Sequence, residues 1–99
     1  TVCEAAELCY AMGAKDVIVA ATHGVFAGKA IERLAESRIS QIIVTNTIPL
    51  VVNGVDRVAP IRGRLVELCV SDLLGDAIHN IHFNKSLSAL FKNGAGVKR

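Results

Sequence analysis

The sequence predicts an α/β fold, a parallel sheet with flanking helices, and three observations carry that reading. A β-branched run, Val17-Ile18-Val19, stops at Thr22-His23-Gly24 and gives way to apolar residues at helical spacing, Ala30, Ile31, Leu34 and Ala35. A second run, Gln41 to Thr45, follows that helix and ends in Asn46-Thr47-Ile48-Pro49. A third, Leu65 to Val70, is again followed by a helical pattern. Short apolar strands alternating with amphipathic helices are the pattern of βαβ units.

Taken in order, Val2, Ala5, Ala6, Cys9 and Met12 form one apolar face and predict a helix over residues 2–12. Glu4 and Glu7 load its first turns, and Gly13 supplies a left-handed C-cap. Thr1 stands at the N-cap, where an ordinary cap is the commoner role and a docked phosphate the alternative, since helix N–H groups attract anions. Val17, Ile18 and Val19 are apolar on successive positions, which suits a strand covered on both faces. Gly24 and Gly28 permit the sharp exit into a helix whose polar side carries Lys29, Glu32, Arg33 and Glu36.

From Pro49 to Arg64 the periodicity breaks. Asn53-Gly54 marks the tip of a hairpin arm, while Ala59-Pro60 and Arg62-Gly63-Arg64 read as loop, with arginines that are solvated or reach an anion. Ser71-Asp72 cap a helix with the stripe Leu73, Leu74, Ala77, Ile78 and Ile81, ending near Phe83-Asn84. His79 and His82, three apart, could share a metal, but no third ligand stands nearby and a solvated face is the commoner reading. Ser86 to Phe91 forms a short capped turn, and residues 92–99 are expected to be a mobile tail.

Ninety-nine residues, 52% hydrophobic and 20% charged, make at most one domain with a real core. A net charge of +2, spread along the chain, is too weak and too diffuse to argue for nucleic acid, and no nucleic-acid partner is expected. No apolar run approaches a membrane span, no signal peptide is visible, and three cysteines without a Cys-x-x-Cys suit a reducing compartment. The expectation is a soluble cytoplasmic chain. It opens in helical pattern and offers three strands, so further strands are expected upstream. No paired carboxylates, Gly-x-Ser-x-Gly or phosphate-loop motif supplies a catalytic set.

Ligands of open α/β sheets bind at the carboxyl ends of the strands, which puts Thr22-His23-Gly24 and Thr45-Asn46-Thr47 on one functional edge. His23 is the one residue placed like a catalytic group, although a His bonded to neighbouring loop backbone is commoner.

At Ala21-Thr-His-Gly-Val-Phe-Ala-Gly28, Ile43-Val-Thr-Asn-Thr-Ile-Pro49 and Ser86-Leu-Ser-Ala-Leu-Phe91, the sequence resembles the C-terminal part of ribose-phosphate diphosphokinase, also called phosphoribosyl pyrophosphate synthetase. The resemblance runs from Thr1 to about Phe91; the segment 50–64, longer than the family usually has, and the tail fall outside it. It implies that residues 1–91 are the C-terminal part of a type I phosphoribosyltransferase-like domain, in a homo-oligomeric enzyme that uses Mg²⁺. That enzyme moves the diphosphate of ATP to ribose 5-phosphate, giving phosphoribosyl diphosphate and AMP. Thr1 matches the last residue of the family's ribose-phosphate loop. Ser86, Ser88 and Phe91 match positions lining a regulatory site for phosphate and ADP at a subunit interface.

The resemblance places the catalytic residues, ATP loops and Mg²⁺ ligands before Thr1, so this piece alone is expected to be inactive. Two other readings stand beside it. One is a non-catalytic synthetase-associated homologue that binds and regulates active subunits, separated from the enzyme by whether an upstream Asp-Asp-x-x-x-Asp-Thr-x-Gly run is intact. The other is a nucleotide-binding α/β domain of unrelated function, resting on strand-turn-helix geometry alone.

Overall fold

Helix α1 (Val2–Ala11) starts after Thr1 and is closed by a glycine turn in the computed structural model, which describes residues 1–90. Gly13, at φ 101, donates to Tyr10 O at 3.1 Å while Ala14 donates to Cys9 O at 3.0 Å. This pair of bonds is the Schellman arrangement, and it needs the positive φ that glycine adopts without strain. The face of α1 that packs shares only Ala6 with the predicted one. Ala6 is buried and Cys3 partly so, whereas Val2, Cys9 and Met12 are exposed. Contacts on Glu7 and Tyr10 set the rotation: Arg38 bonds to Glu7 at 2.6 Å and lies 4.5 Å over the Tyr10 ring, and the Tyr10 hydroxyl donates to Arg38 O at 2.7 Å.

The chain divides into two compact units, the first covering residues 1–67 and the second beginning at Leu68. In the first, strands β1 (Ile18–His23) and β2 (Gln41–Thr45) run parallel, joined by helix α2 (Ala30–Glu36). A third strand, β5 (Leu65–Leu68), completes the order β1-β2-β5, so β2 is central. Its Ile42 and Val44 are buried, as Leu34 of α2 is. The expectation that residues 17–19 are covered on both faces is corrected. β1 lies at the edge of this sheet with one ladder neighbour; Val17 and Val19 pack on the core, but Ile18 is 58% exposed.

The segment without periodicity contributes most where least was expected. Asn53-Gly54 does turn a hairpin, β3 (Val51–Val52) against β4 (Val55–Asp56), with φ of 53 and 77 at the two turn residues, as a type I′ turn requires. Ala59–Arg64, read as loop, is instead a 3-10 helix. Leu50, Val58 and Ile61 all enter the core. The arginines are engaged by protein groups, Arg62 while still exposed and Arg64 half-buried. Arg62 pairs with Asp56 at 2.7 Å, and Arg64 donates to the carbonyls of Leu34, Ala35, Ser37 and Ile39 at the end of α2.

The second unit holds helix α3 (Ser71–His82). Its N-cap is Val70, whose carbonyl accepts from Leu74 at 3.0 Å, so Ser71 and Asp72 sit inside the first turn rather than capping it. The Ser71 hydroxyl lies 3.0 Å from the Cys69 thiol. Leu73 and Ala77 of the predicted stripe are half-buried, while Leu74, Ile78 and Ile81 are exposed. The helix closes at Phe83, with Asn84 at φ 55.

Candidate functional site

The carboxyl ends of β1 and β2 meet through an irregular step in the pairing. Registered pairs run from Ile18↔Gln41 to Ala21↔Val44, and the next is His23↔Thr45, which leaves Thr22 as the extra residue. Bulges of this kind re-aim side chains and carbonyls at strand ends. Here the Thr45 and Thr47 hydroxyls both converge on Thr22 O, the second at 3.3 Å. The His23 Nδ1 lies 2.8 Å from Thr47 Oγ1. The His23 ring is therefore oriented by a side-chain hydroxyl from the loop after the neighbouring strand, while the His23 backbone pairs with Asn46 and accepts from Val25. Thr22-His23-Gly24 and Thr45-Asn46-Thr47 form one polar edge.

Gly24 is buried, and its φ is not the reason for glycine. A Cβ there would stand 2.8 Å from Phe26 Cε2 and 3.4 Å from Val44 Cβ, so the ring and the strand leave no room for a side chain. Phe26 itself adopts φ 47, uncommon for a bulky residue and costly, by about 1–3 kcal/mol, unless neighbours hold it.

Above this edge opens a cleft of about 870 Å³, lined by Thr1 and Cys3 of the α1 start, Ala21 and His23 of β1, and Phe26 and Lys29 beyond it. Thr1 is exposed, its carbonyl accepts the first helical bond from Ala5 at 2.9 Å, and its hydroxyl makes no cap bond. Helix geometry leaves the N–H groups of Val2, Cys3 and Glu4 without intrahelical acceptors, pointing out of that end. Lys29 and Arg33 bring positive charge to the wall. The Arg38 hydrogen bond holds the Glu7 carboxyl below its usual range, so Glu7 is a paired anion across the pH range of most assays.

In the second unit the hydroxyls of Ser86 and Ser88 stand 2.7 Å apart, both residues exposed, and Asn80 Nδ2 donates to Ser86 O at 2.9 Å. Phe91, and with it the tail 92–99, lies outside the described residues. His79 and His82 flank Phe83, with ring centroids at 4.6 and 4.8 Å. Among the described residues no group of three or more His, Cys, Asp or Glu is arranged to hold a metal ion. None of the helices described is long and apolar enough to cross a membrane. Sequence reasoning missed Arg57, which joins the two edge loops; its one local signal was its place three residues after the Asn-Gly turn.

Known proteins resemble this chain along nearly its whole length. A ribose-phosphate pyrophosphokinase of Rhodopirellula baltica is 47% identical over 92 residues, 93% of this chain and 27% of that protein. One of Gloeobacter violaceus is 42% identical over 92 residues, 93% of this chain and 26% of that protein. The crystal structure of phosphoribosylpyrophosphate synthetase from Mycobacterium smegmatis superposes with a TM-score of 0.70 at 37% identity, covering 84% of this chain and 26% of that one. The chain thus spans about a quarter of the length of these relatives. The model of the phosphoribosyl synthetase-associated domain matches residues 1–92, nearly the whole chain, and the chain belongs to that family.

Proposed function

We propose that this chain is the C-terminal part of a ribose-phosphate diphosphokinase with a type I phosphoribosyltransferase-like fold. The parent protein would transfer the diphosphate of ATP to ribose 5-phosphate as a cytoplasmic homo-oligomer. The observation that carries the reading is the cleft at the start of α1, whose lining holds both Thr1 with the first residues of the helix and His23 of the strand edge. A helix N-terminus with an uncommitted hydroxyl and a lysine in the same cleft lining is suited to the 5-phosphate of ribose 5-phosphate. His23 and Gly24 line the same space, with Thr22 beside them at the strand end and the His23 ring oriented by Thr47. Mg²⁺, when bound in the parent, would neutralise charge on the transferring diphosphate; its ligands are assigned outside this chain.

The paired hydroxyls of Ser86 and Ser88, with Phe91, are assigned to a phosphate and ADP effector site. Two hydroxyls 2.7 Å apart can turn their protons outward onto one anion. The family's description as an associated domain favours one second reading, a regulatory homologue that binds active subunits without turning over.

The test is steady-state kinetics on the full-length parent. Magnesium-dependent AMP formation from ATP and ribose 5-phosphate supports the enzyme, and stimulation of an active synthetase without turnover of its own supports the regulator. In an active parent, Thr1→Ala should raise the KM for ribose 5-phosphate about tenfold to a hundredfold, the value of a hydrogen bond to a charged group. Unchanged kinetics removes Thr1 from the site. Ser86→Ala combined with Ser88→Ala should weaken phosphate activation and ADP inhibition with that KM unchanged, whereas wild-type effector curves would leave the serines structural.

A further inference from the structure

We propose that Arg57 is a positioning residue for the cleft, tying the loop that leaves β1 to the loop that leaves β2 and so holding the wall at Val25–Gly28. The inference rests on the reading of the cleft as a ribose 5-phosphate site. Arg57 reaches from a rigid base. Its backbone N–H donates to Leu50 O at 2.9 Å, the preceding Asp56 is paired to Arg62 at 2.7 Å, and the following Val58 is fully buried and donates its N–H to Asp56 Oδ1 at 3.2 Å. From there one guanidinium nitrogen donates to Val25 O at 2.9 Å and the other to Pro49 O at 3.3 Å.

The two acceptors lie in different loops, 32 and 8 positions away along the chain. A planar fork with fixed donor spacing can bridge two such carbonyls at once, and a single ammonium cannot do so with the same geometry. The local bonds of this loop are short in range, Val25 N–H to His23 O at 3.0 Å and Ala30 N–H to Ala27 O at 3.1 Å, so Arg57 provides a long-range tie.

The position of that tie matters because of the residue beside it. Val25 C=O belongs to the peptide plane that ends at Phe26 N, about which Phe26 turns to φ 47. Fixing this plane keeps the Phe26 ring on Gly24 and Val44, the contact that leaves no room for a Cβ at Gly24. Phe26 and Lys29 line the same cleft as Thr1. Arg57 therefore acts on ligand through the wall it holds, with both its guanidinium ends committed to protein.

The experiment compares wild type, Arg57→Met and Arg57→Lys in the full-length parent protein. Both variants should raise the KM for ribose 5-phosphate about tenfold or more, the scale of an ångström's misplacement, with the KM for ATP unchanged. Amide hydrogen exchange should quicken in residues 24–30 and 47–50 and stay at wild-type rates in β2. A wild-type KM for ribose 5-phosphate in both variants overturns the proposal, as does a rise in both KM values that merely follows a lowered melting temperature. Unchanged exchange in the two loops also overturns it. A wild-type parent without turnover would sink the ribose 5-phosphate reading alone, and the exchange measurement would still decide the tie.

Discussion

Gly24 carries the tightest steric demand at the carboxyl edge. Its hydrogen stands where a methyl group would meet Phe26 Cε2 at 2.8 Å, so Gly24→Ala must push the ring off or move β2. The ring belongs to a residue already at φ 47, and overpacking of this kind costs about 1–3 kcal/mol. Thermal unfolding of the parent protein should show a lower melting temperature for Gly24→Ala, and an unchanged one would mean that the ring swings out freely. The placement of Thr22, His23 and Gly24 was legible in the sequence, because a strand that stops at small polar residues announces its carboxyl end. The reason for Gly24 was not. A close approach by a ring two residues on, over a valine twenty residues away, leaves no trace in local pattern. His23 shows the same division: its exposure at the strand end could be read, but its partner Thr47 depends on a register slip between two strands.

At the scale of elements, α2 has seven residues, too few to be stable by propensity alone. Arg64 supplies what its length does not, by donating to four carbonyls of its last turn and of the chain just beyond it. Arg64→Met should destabilise the parent by about 1.5–3 kcal/mol, the cost of losing bonds to a charged group and stranding half-buried acceptors. Amide exchange of residues 33–40 should quicken first, and loss spread evenly over the first unit would argue against a local cap. Two exposed ion pairs predict a pH dependence. Hydrogen bonding from Arg38 lowers Glu7, and hydrogen bonding from Arg62 lowers Asp56. A carboxyl lowered on folding stabilises the folded state above its unfolded pKa and loses that contribution as pH falls through its folded one. The contribution is therefore whole at neutral pH and is lost in the acid range below about 4.5. Acid titration of Arg38→Ala and Arg62→Ala should show a flatter fall in stability than wild type, and parallel curves would show that solvent screens the pairs completely.

For the whole molecule, the first unit carries a polar edge and a helix N-terminus and the second a serine pair, and the described residues hold no metal-binding group of three or more His, Cys, Asp or Glu. With the catalytic parts assigned elsewhere in the parent, as proposed, the purified 99-residue chain should leave coupled assays for phosphoribosyl diphosphate at background; sustained magnesium-dependent turnover would refute that assignment. The order of strands and helices, the glycine turn after α1 and the Asn53-Gly54 hairpin were determined by the sequence alone. Each depends on a few consecutive residues: a β-branched run, a 3.6-residue period, or two positions that tolerate positive φ. Tertiary structure alone decided which face of α1 packs, that β1 lies at the edge of this sheet, and that Val58 and Ile61 leave an irregular segment to join the core. It also decided the arginines. Arg38 meets Glu7 across 31 positions, Arg57 meets Val25 across 32 and Arg64 meets Leu34 across 30. A side chain's partner at that separation is set by how the strands and helices stack, and no period in the chain near Arg38, Arg57 or Arg64 encodes it.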